Sequence, residues 1–274
     1  MLTHGTLLHH VPRTDVRLGR YQRLDARSLA HRHTHDPAAV FRPVRHEIPI
    51  PILNQGDLDV QGIDPSTFIP KAVMVKALGS CTANAGTAAV AFVLGLEGLA
   101  AAGLSATDPI VCEKFAITLY HDETRRDGIK GVWPPDDEGS SGLGCSRTLK
   151  SRGLIGSYVH ATTADELISL LQVGPVMLGV PWFEDWFTPD ADGYIDSGAW
   201  YDSKFAGGHE ILVVGVETVA QDADGHVIPE ETVLRIRNSW GLGWGLAGEF
   251  RMRLTTYVAL RKYIDAIQIR AAKA

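Results

Sequence analysis

The chain has 274 residues, 45% hydrophobic and 21% charged, with a formal net charge of -6. That mild acidity excludes a dedicated nucleic-acid or anionic-membrane binder, which would carry a basic field, and the length suits one large domain or two lobes with real cores. Three widely spaced cysteines in a chain this large argue against a disulfide framework.

Residues 1–58 hold eight arginines and seven of the eleven histidines, with few long apolar runs, and read as an extended arm. Met1 to His10 lacks the basic start and long apolar stretch of a secretory signal, so the expected location is cytoplasmic or virion-associated. His31, His33 and His35 alternate and would share one side of an extended chain, yet no second-shell partner is evident and no metal is assigned. The run His46-Glu-Ile-Pro-Ile-Pro-Ile-Leu53 suits an edge strand or a strap on another surface.

From Cys81 to about Gly103, small and aliphatic residues without proline predict a buried helix, with Ser80 as its N-cap. Asn84, Glu97 and several glycines keep this stretch from reading as a membrane span. A second helix is expected from about Pro109 to Arg125, then a loop, then a short helix opened by Ser140 or Ser141 and stopped by Gly153. Thr163-Ala-Asp-Glu caps a helix to about Leu171. The period then shortens, predicting strands at Val176 to Val180, Ile211 to Val216, Val233 to Ile236, Phe250 to Met252 and Ile264 to Ile269, with a hairpin turn at Asp222-Ala-Asp-Gly225. Helices first and antiparallel strands after them make an α+β pattern of two facing lobes.

Three stretches carry chemistry. In Leu78-Gly-Ser-Cys-Thr-Ala-Asn84 a cysteine opens a helix, where free N–H groups and the dipole favour thiolate. In Ala206-Gly-Gly-His-Glu-Ile-Leu-Val-Val-Gly215 a histidine sits at the mouth of an apolar strand, beside glycines that permit close backbone approach. In Ile236-Arg-Asn-Ser-Trp-Gly-Leu-Gly-Trp-Gly-Leu-Ala-Gly248 an asparagine ends a strand before two tryptophans among glycines. Each is weak alone; the order is not. Cys81, then His209 after 128 residues, then Asn238 after 29 more, is the order of nucleophile, base and orienter.

On these residues the sequence resembles the papain-like cysteine peptidases, in particular the bacterial and bacteriophage branch, from about His46 to the C-terminus. The resemblance implies an α+β papain-like fold: a helical lobe over about 81–160, an antiparallel, barrel-like β lobe over about 161–274, and the active-site cleft between them. Residues 1–45 form the N-terminal arm; of its two readings, an inhibitory propeptide and a strap of the mature fold, the strap is expected because the arm lacks a long charged amphipathic helix. By the same resemblance Cys81 is the nucleophile, His209 the base and later acid, Asn238 the orienter, and Trp240 the shield of the His–Asn hydrogen bond. Gly139-Ser140-Ser141-Gly142 and Gly208 would meet substrate backbone, and a thiolate–imidazolium pair is expected. The implied partner is a protein or peptide substrate, with no metal or organic cofactor.

One departure matters. The family's glutamine donor to the oxyanion lies six residues before the cysteine, where this chain has Val75. Ile52-Leu-Asn-Gln-Gly-Asp-Leu58 matches the segment that should hold it, so Gln55 is expected to be the donor, with an insertion over about 59–77 looped out as a flap beside the cleft. The other reading of the displaced glutamine is a catalytically impaired papain-fold structural or interaction protein. Cys112, Cys145 and Trp133 read as packing positions, the cluster from Trp182 to Phe187 as packing or as the rim of a cleft, and His121 and His160 have no partner motif.

Overall fold

The computed structural model describes residues 13–21 and 25–272, so the reading of Met1 to His10 lies outside the described residues. In chain order the elements are β1 (Val44–Arg45), α1 (Cys81–Leu99), α2 (Pro109–Glu123), α3 (Gly142–Ser151), β2 (Ser157–His160) and α4 (Ala164–Leu171). Then come β3 (Val176–Phe183), β4 (Phe205–Thr218), β5 (Val233–Arg237), β6 (Glu249–Arg253), α5 (Leu254–Leu260) and β7 (Asp265–Arg270).

The caps explain where helices begin. Asp108 accepts from the Ile110 and Val111 amides ahead of Pro109, Ser141 accepts from the Gly144 amide, and Thr163 forms a reciprocal capping box with Glu166. Ser80 precedes α1 but does not cap it: its hydroxyl donates to Asn84 Oδ1 at 2.8 Å, so no side chain caps the first turn. By length and apolarity the stretch Cys81–Ala102 would suit a membrane span, contrary to expectation. Residues 81–91 are nevertheless all buried in protein, and Gly95, at φ 64°, breaks the helical path beyond them.

The strands form an antiparallel sheet in the order β2-β7-β3-β4-β5-β6, with β1 also on β4. The ladder runs open from β2 to β6 instead of closing into a barrel. β1 lies just before the 46–53 run, which adds the His46 amide donating to Val214 O at 2.7 Å and Leu53 O accepting from the Gly241 amide at 2.9 Å. Pro49 and Pro51 lack the N–H that would continue the ladder, so the edge strand sits just before the expected run.

β4 alternates between two cores. Ile211 and Val213 face a sheet-lobe core with Leu178, Val180, Trp182 and Phe250, while Leu212 and Val214 face a helical-lobe core with α1, Met177 and Ile267. Burial on both faces is why this strand reads as an unbroken apolar run. It also starts earlier than its β-branched residues signal, so Gly207 to Glu210 lie inside the ladder.

α1 packs closely on α3 because Gly86 has no side chain: a Cβ there would meet Cys145 Sγ at 2.2 Å. Gly86→Ala should therefore lower the urea midpoint, overpacking at about 1–3 kcal/mol outweighing a helix-propensity gain of about 1 kcal/mol. In a Cys145→Ala background the sulfur is gone and the same change should stabilise. A Gly86→Ala effect of the same sign in both backgrounds would refute this packing account.

Candidate active site

Cys81, His209, Asn238 and Gln55 come to one place between the two cores. Cys81 is the first residue of α1 and fully buried. The backbone N–H of Glu210, the residue after His209, reaches the Cys81 sulfur, which sets this part of β4 against the start of α1. His209 Nε2 hydrogen-bonds Asn238 Oδ1 at 2.8 Å, and the Ser239 amide donates to the same oxygen at 2.8 Å. The carboxamide oxygen is thereby fixed as the acceptor, and Nε2 carries the proton. His209 Nδ1 is buried and has no hydrogen-bond partner among the described residues, the nitrogen left over for proton exchange.

Aromatic rings wall off the pair. Trp240 stacks on His209 with ring centroids 4.7 Å apart and 28° between planes. Trp182 meets the imidazole edge-to-face at 4.9 Å and also touches Trp186, Trp240, Trp244 and Phe250. The sequence reading placed Trp182 in packing, with the rim of a cleft as the other reading of its cluster. The signal that it also borders His209 is its position two residues from Val180, the cross-strand partner of His209.

Gln55 returns to the site because the insertion closes at its neck. The Leu58 amide donates to Lys76 O at 2.8 Å, and the Leu78 amide donates to Gln55 O at 3.1 Å. The segments before and after the insertion are therefore adjacent. The insertion is not a free flap: Ile63, Ile69 and Ala72 are buried in the helical-lobe core, and that burial holds it down. Gln55 Oε1 accepts from Ser239 Oγ at 2.6 Å, and its Nε2 donates to Leu78 O and to Arg17 O, both at 2.8 Å.

The last of those acceptors belongs to the N-terminal arm, which runs through the cleft. The Ser140 amide donates to Gly19 O at 2.8 Å, the Tyr21 amide to Ser140 O at 3.1 Å, and the Arg20 amide to Gly208 O at 3.1 Å. These bonds flank Arg20 in a parallel bridge with Ser140. The fit depends on glycine: a Cβ on Gly19 would lie 1.7 Å from Gly79 O, on Gly139 2.0 Å from Gly19 O, and on Gly208 2.0 Å from Arg20 O. Arg17 lies over the Trp240 ring at 4.4 Å and pairs with Asp15 at 2.7 Å. Ser141 and Gly142 lie on the α3 side, Ser141 as its cap and Gly142 against the Glu210 carboxylate.

Burial under the arm sets the protonation states. Desolvation pushes the Cys81 thiol up to about 12, although N–H groups of Glu210 and Gly19 pull the other way. Desolvation likewise lowers His209 to about 4, against the opposing pull of the Asn238 bond. The pair is thus neutral thiol and neutral imidazole, not the expected thiolate–imidazolium, because charge separation without water is costly. Glu210 is pushed up to about 8 by the same burial, with Arg20 opposing.

The remaining candidates do not converge on the site. Cys112 and Cys145 are buried free thiols. His31 packs on Tyr158, and His33 reaches Ser169 Oγ at 3.2 Å, so the alternating histidines do not meet. His160 has a partner after all, Asp265, at 3.1 Å.

A helical lobe and an antiparallel sheet enclosing a Cys–His–Asn cleft constitute the papain-like cysteine protease fold, and this chain has that fold. It is similar in structure to xylellain, a cysteine protease from Xylella fastidiosa, with TM-score 0.63 and 19% identity over 96% of this chain and 99% of that one. It is also similar to digestive procathepsin L 3 of Tenebrio molitor larval midgut, with TM-score 0.54 and 15% identity over 97% of this chain and 83% of that one. The sequence matches no protein-family model and none of the curated proteins.

A neutral, buried thiol has a chemical signature. Cys81 alkylation by iodoacetamide should be slow and rise about tenfold per pH unit from pH 6 to 10, since the thiolate fraction grows toward a pKa of about 12. Gly19→Ala, which cannot fit under Gly79, should lift the arm and bring in a plateau at lower pH. A plateau already present in the unaltered chain would contradict the assignment.

Proposed function

We propose that this chain is a cysteine-type peptidase in a latent form, with the arm lying where a substrate would bind. The observation that carries this reading is the Gln55 amide donating to Arg17 O beside a Cys–His–Asn constellation. The donor expected to stabilise an oxyanion already holds a peptide carbonyl. Digestive procathepsin L 3 of Tenebrio molitor, which is similar in fold, is by its name a proenzyme, which accords with a latent form here.

With the arm withdrawn, water and the helix dipole favour charge separation between Cys81 and His209. The thiolate attacks a substrate carbonyl, and the oxyanion is held by the Cys81 N–H and Gln55 Nε2. His209 gives its proton to the departing amine, leaving an acyl thioester on Cys81. His209 then takes a proton from water, the hydroxide attacks the thioester, and the proton returns to the sulfur as the acid leaves. Asn238 holds the imidazole orientation throughout.

The test uses the full chain carrying Gly19→Ala and an irreversible thiol-directed peptidyl inhibitor, with labelled sites read by mass spectrometry. Cys81 should be labelled and Cys112 and Cys145 should not; His209→Ala should abolish labelling, and Gln55→Ala should lower peptide turnover by ~10²–10³-fold. Absence of Cys81 labelling in the opened chain would favour a non-catalytic papain-fold protein.

A further inference from the structure

The cleft contains a buried acidic pocket that the chemistry above does not use. Antiparallel pairing sets Asp265 of β7, Gly179 of β3 and Glu210 of β4 side by side in one row across the sheet. Residues opposite one another project from the same face, so the row is a carboxylate, a gap and a carboxylate. The row faces the helical lobe, since Met177 and Leu212, two residues away on the same face, belong to that core. Gly179 makes the gap, and Gly142 leaves room for the Glu210 carboxylate, a Cβ there lying 2.7 Å from Glu210 Oε1.

Both carboxylates are at most 1% exposed, which forbids leaving them both charged without cations. Asp265 Oδ1 lies 3.1 Å from His160 Nδ1. Glu210, whose two oxygens accept no hydrogen bond among the described residues, has the Arg20 guanidinium, with Nε 3.6 Å away. Arg20 enters from the arm: its Nη1 donates to Tyr263 O at 3.0 Å, and a Cβ on Gly179 would stand 2.0 Å from its Nε. A charged side chain from a segment lying in the groove thus fills a slot that belongs to the sheet.

Resting on the peptidase reading, we infer that the Glu210–Gly179–Asp265 slot is a substrate side-chain pocket for arginine or lysine. The backbone contacts that seat Arg20 are those a peptide in the groove has available: the Ser140 amide and carbonyl and the Gly208 carbonyl. Gly19, the neighbour of Arg20, is the residue whose N–H reaches the Cys81 sulfur. The pocket therefore receives the side chain next to the residue that acylates Cys81, and not that residue's own. Withdrawal of the arm leaves the Glu210 carboxylate without a cation, and a basic substrate replaces it. Glu210 and Asp265 act in specificity and touch no reacting atom.

The full chain with Gly19→Ala and Arg20→Ala vacates both groove and pocket. It is given quenched fluorogenic peptides of one alanine–glycine background carrying a single Arg, Leu or Glu, with cut sites mapped by mass spectrometry. The Arg peptide should be cleaved at least tenfold faster than the Leu peptide and the Glu peptide slowest, with Arg adjacent to the acylating residue. Glu210→Gln in the same chain should collapse the Arg-to-Leu ratio of kcat/KM toward one, and Asp265→Asn should reduce it. Equal rates for Arg and Leu peptides, or cuts in which Arg itself forms the acyl group, would overturn the pocket and leave the peptidase reading intact. Failure to cleave any of the peptides while Cys81 also resists a peptidyl inhibitor would overturn both.

Discussion

A groove walled by backbone amides and carbonyls has to be filled by something that hydrogen-bonds. Here Ser140, Gly208 and the Gln55 carboxamide are buried, and an extended stretch of the chain's own N-terminus supplies their partners. Orphaned groups in such a place cost about 1–3 kcal/mol each, so the groove is held either by a peptide or by water. The glycines at 19, 139 and 208 follow from this requirement. Two backbones can come into hydrogen-bond contact from both sides only where side chains are missing.

The same filling governs the electrostatics. A cysteine at an uncapped helix start beside a histidine has what thiolate formation needs, yet both groups are held neutral because the arm excludes water. The helix dipole is a matter of a fraction of a charge, and desolvation of two full charges exceeds it. Reactivity is therefore a property of the open cleft and not of the residues alone.

Much of this was legible in the order of residues. Cys81, His209 and Asn238 could be read as a set because nucleophile, base and orienter occur in sequence, and the helices that carry and flank them announce themselves through Asp108, Ser141 and Thr163. Gln55 could be placed because its motif survives on the far side of an insertion. Other features had no local signal. Arg20 and Glu210 are 190 residues apart in the chain and meet only through strand register. Trp182 borders His209 through a cross-strand neighbour, and β4 begins at a Phe-Ala-Gly-Gly stretch whose glycines conceal a strand. The inverted charge states of Cys81 and His209 were invisible because they depend on what covers the site. Ser80 stands at the N-cap position with α1 starting at Cys81, as its place in the sequence implies, but its hydroxyl is taken by Asn84 and makes no capping bond.

His209 and Glu210 are consecutive residues of a pleated strand, and so they look in opposite directions: one toward tryptophans, the other toward glycines and the helical lobe. The aromatic surroundings of the imidazole and the acidic slot are thereby divided between the two sides of a single ribbon. A lineage or an engineer could rewrite position 210, and with it 179 and 265, while the imidazole keeps its ring stack and its carboxamide partner untouched.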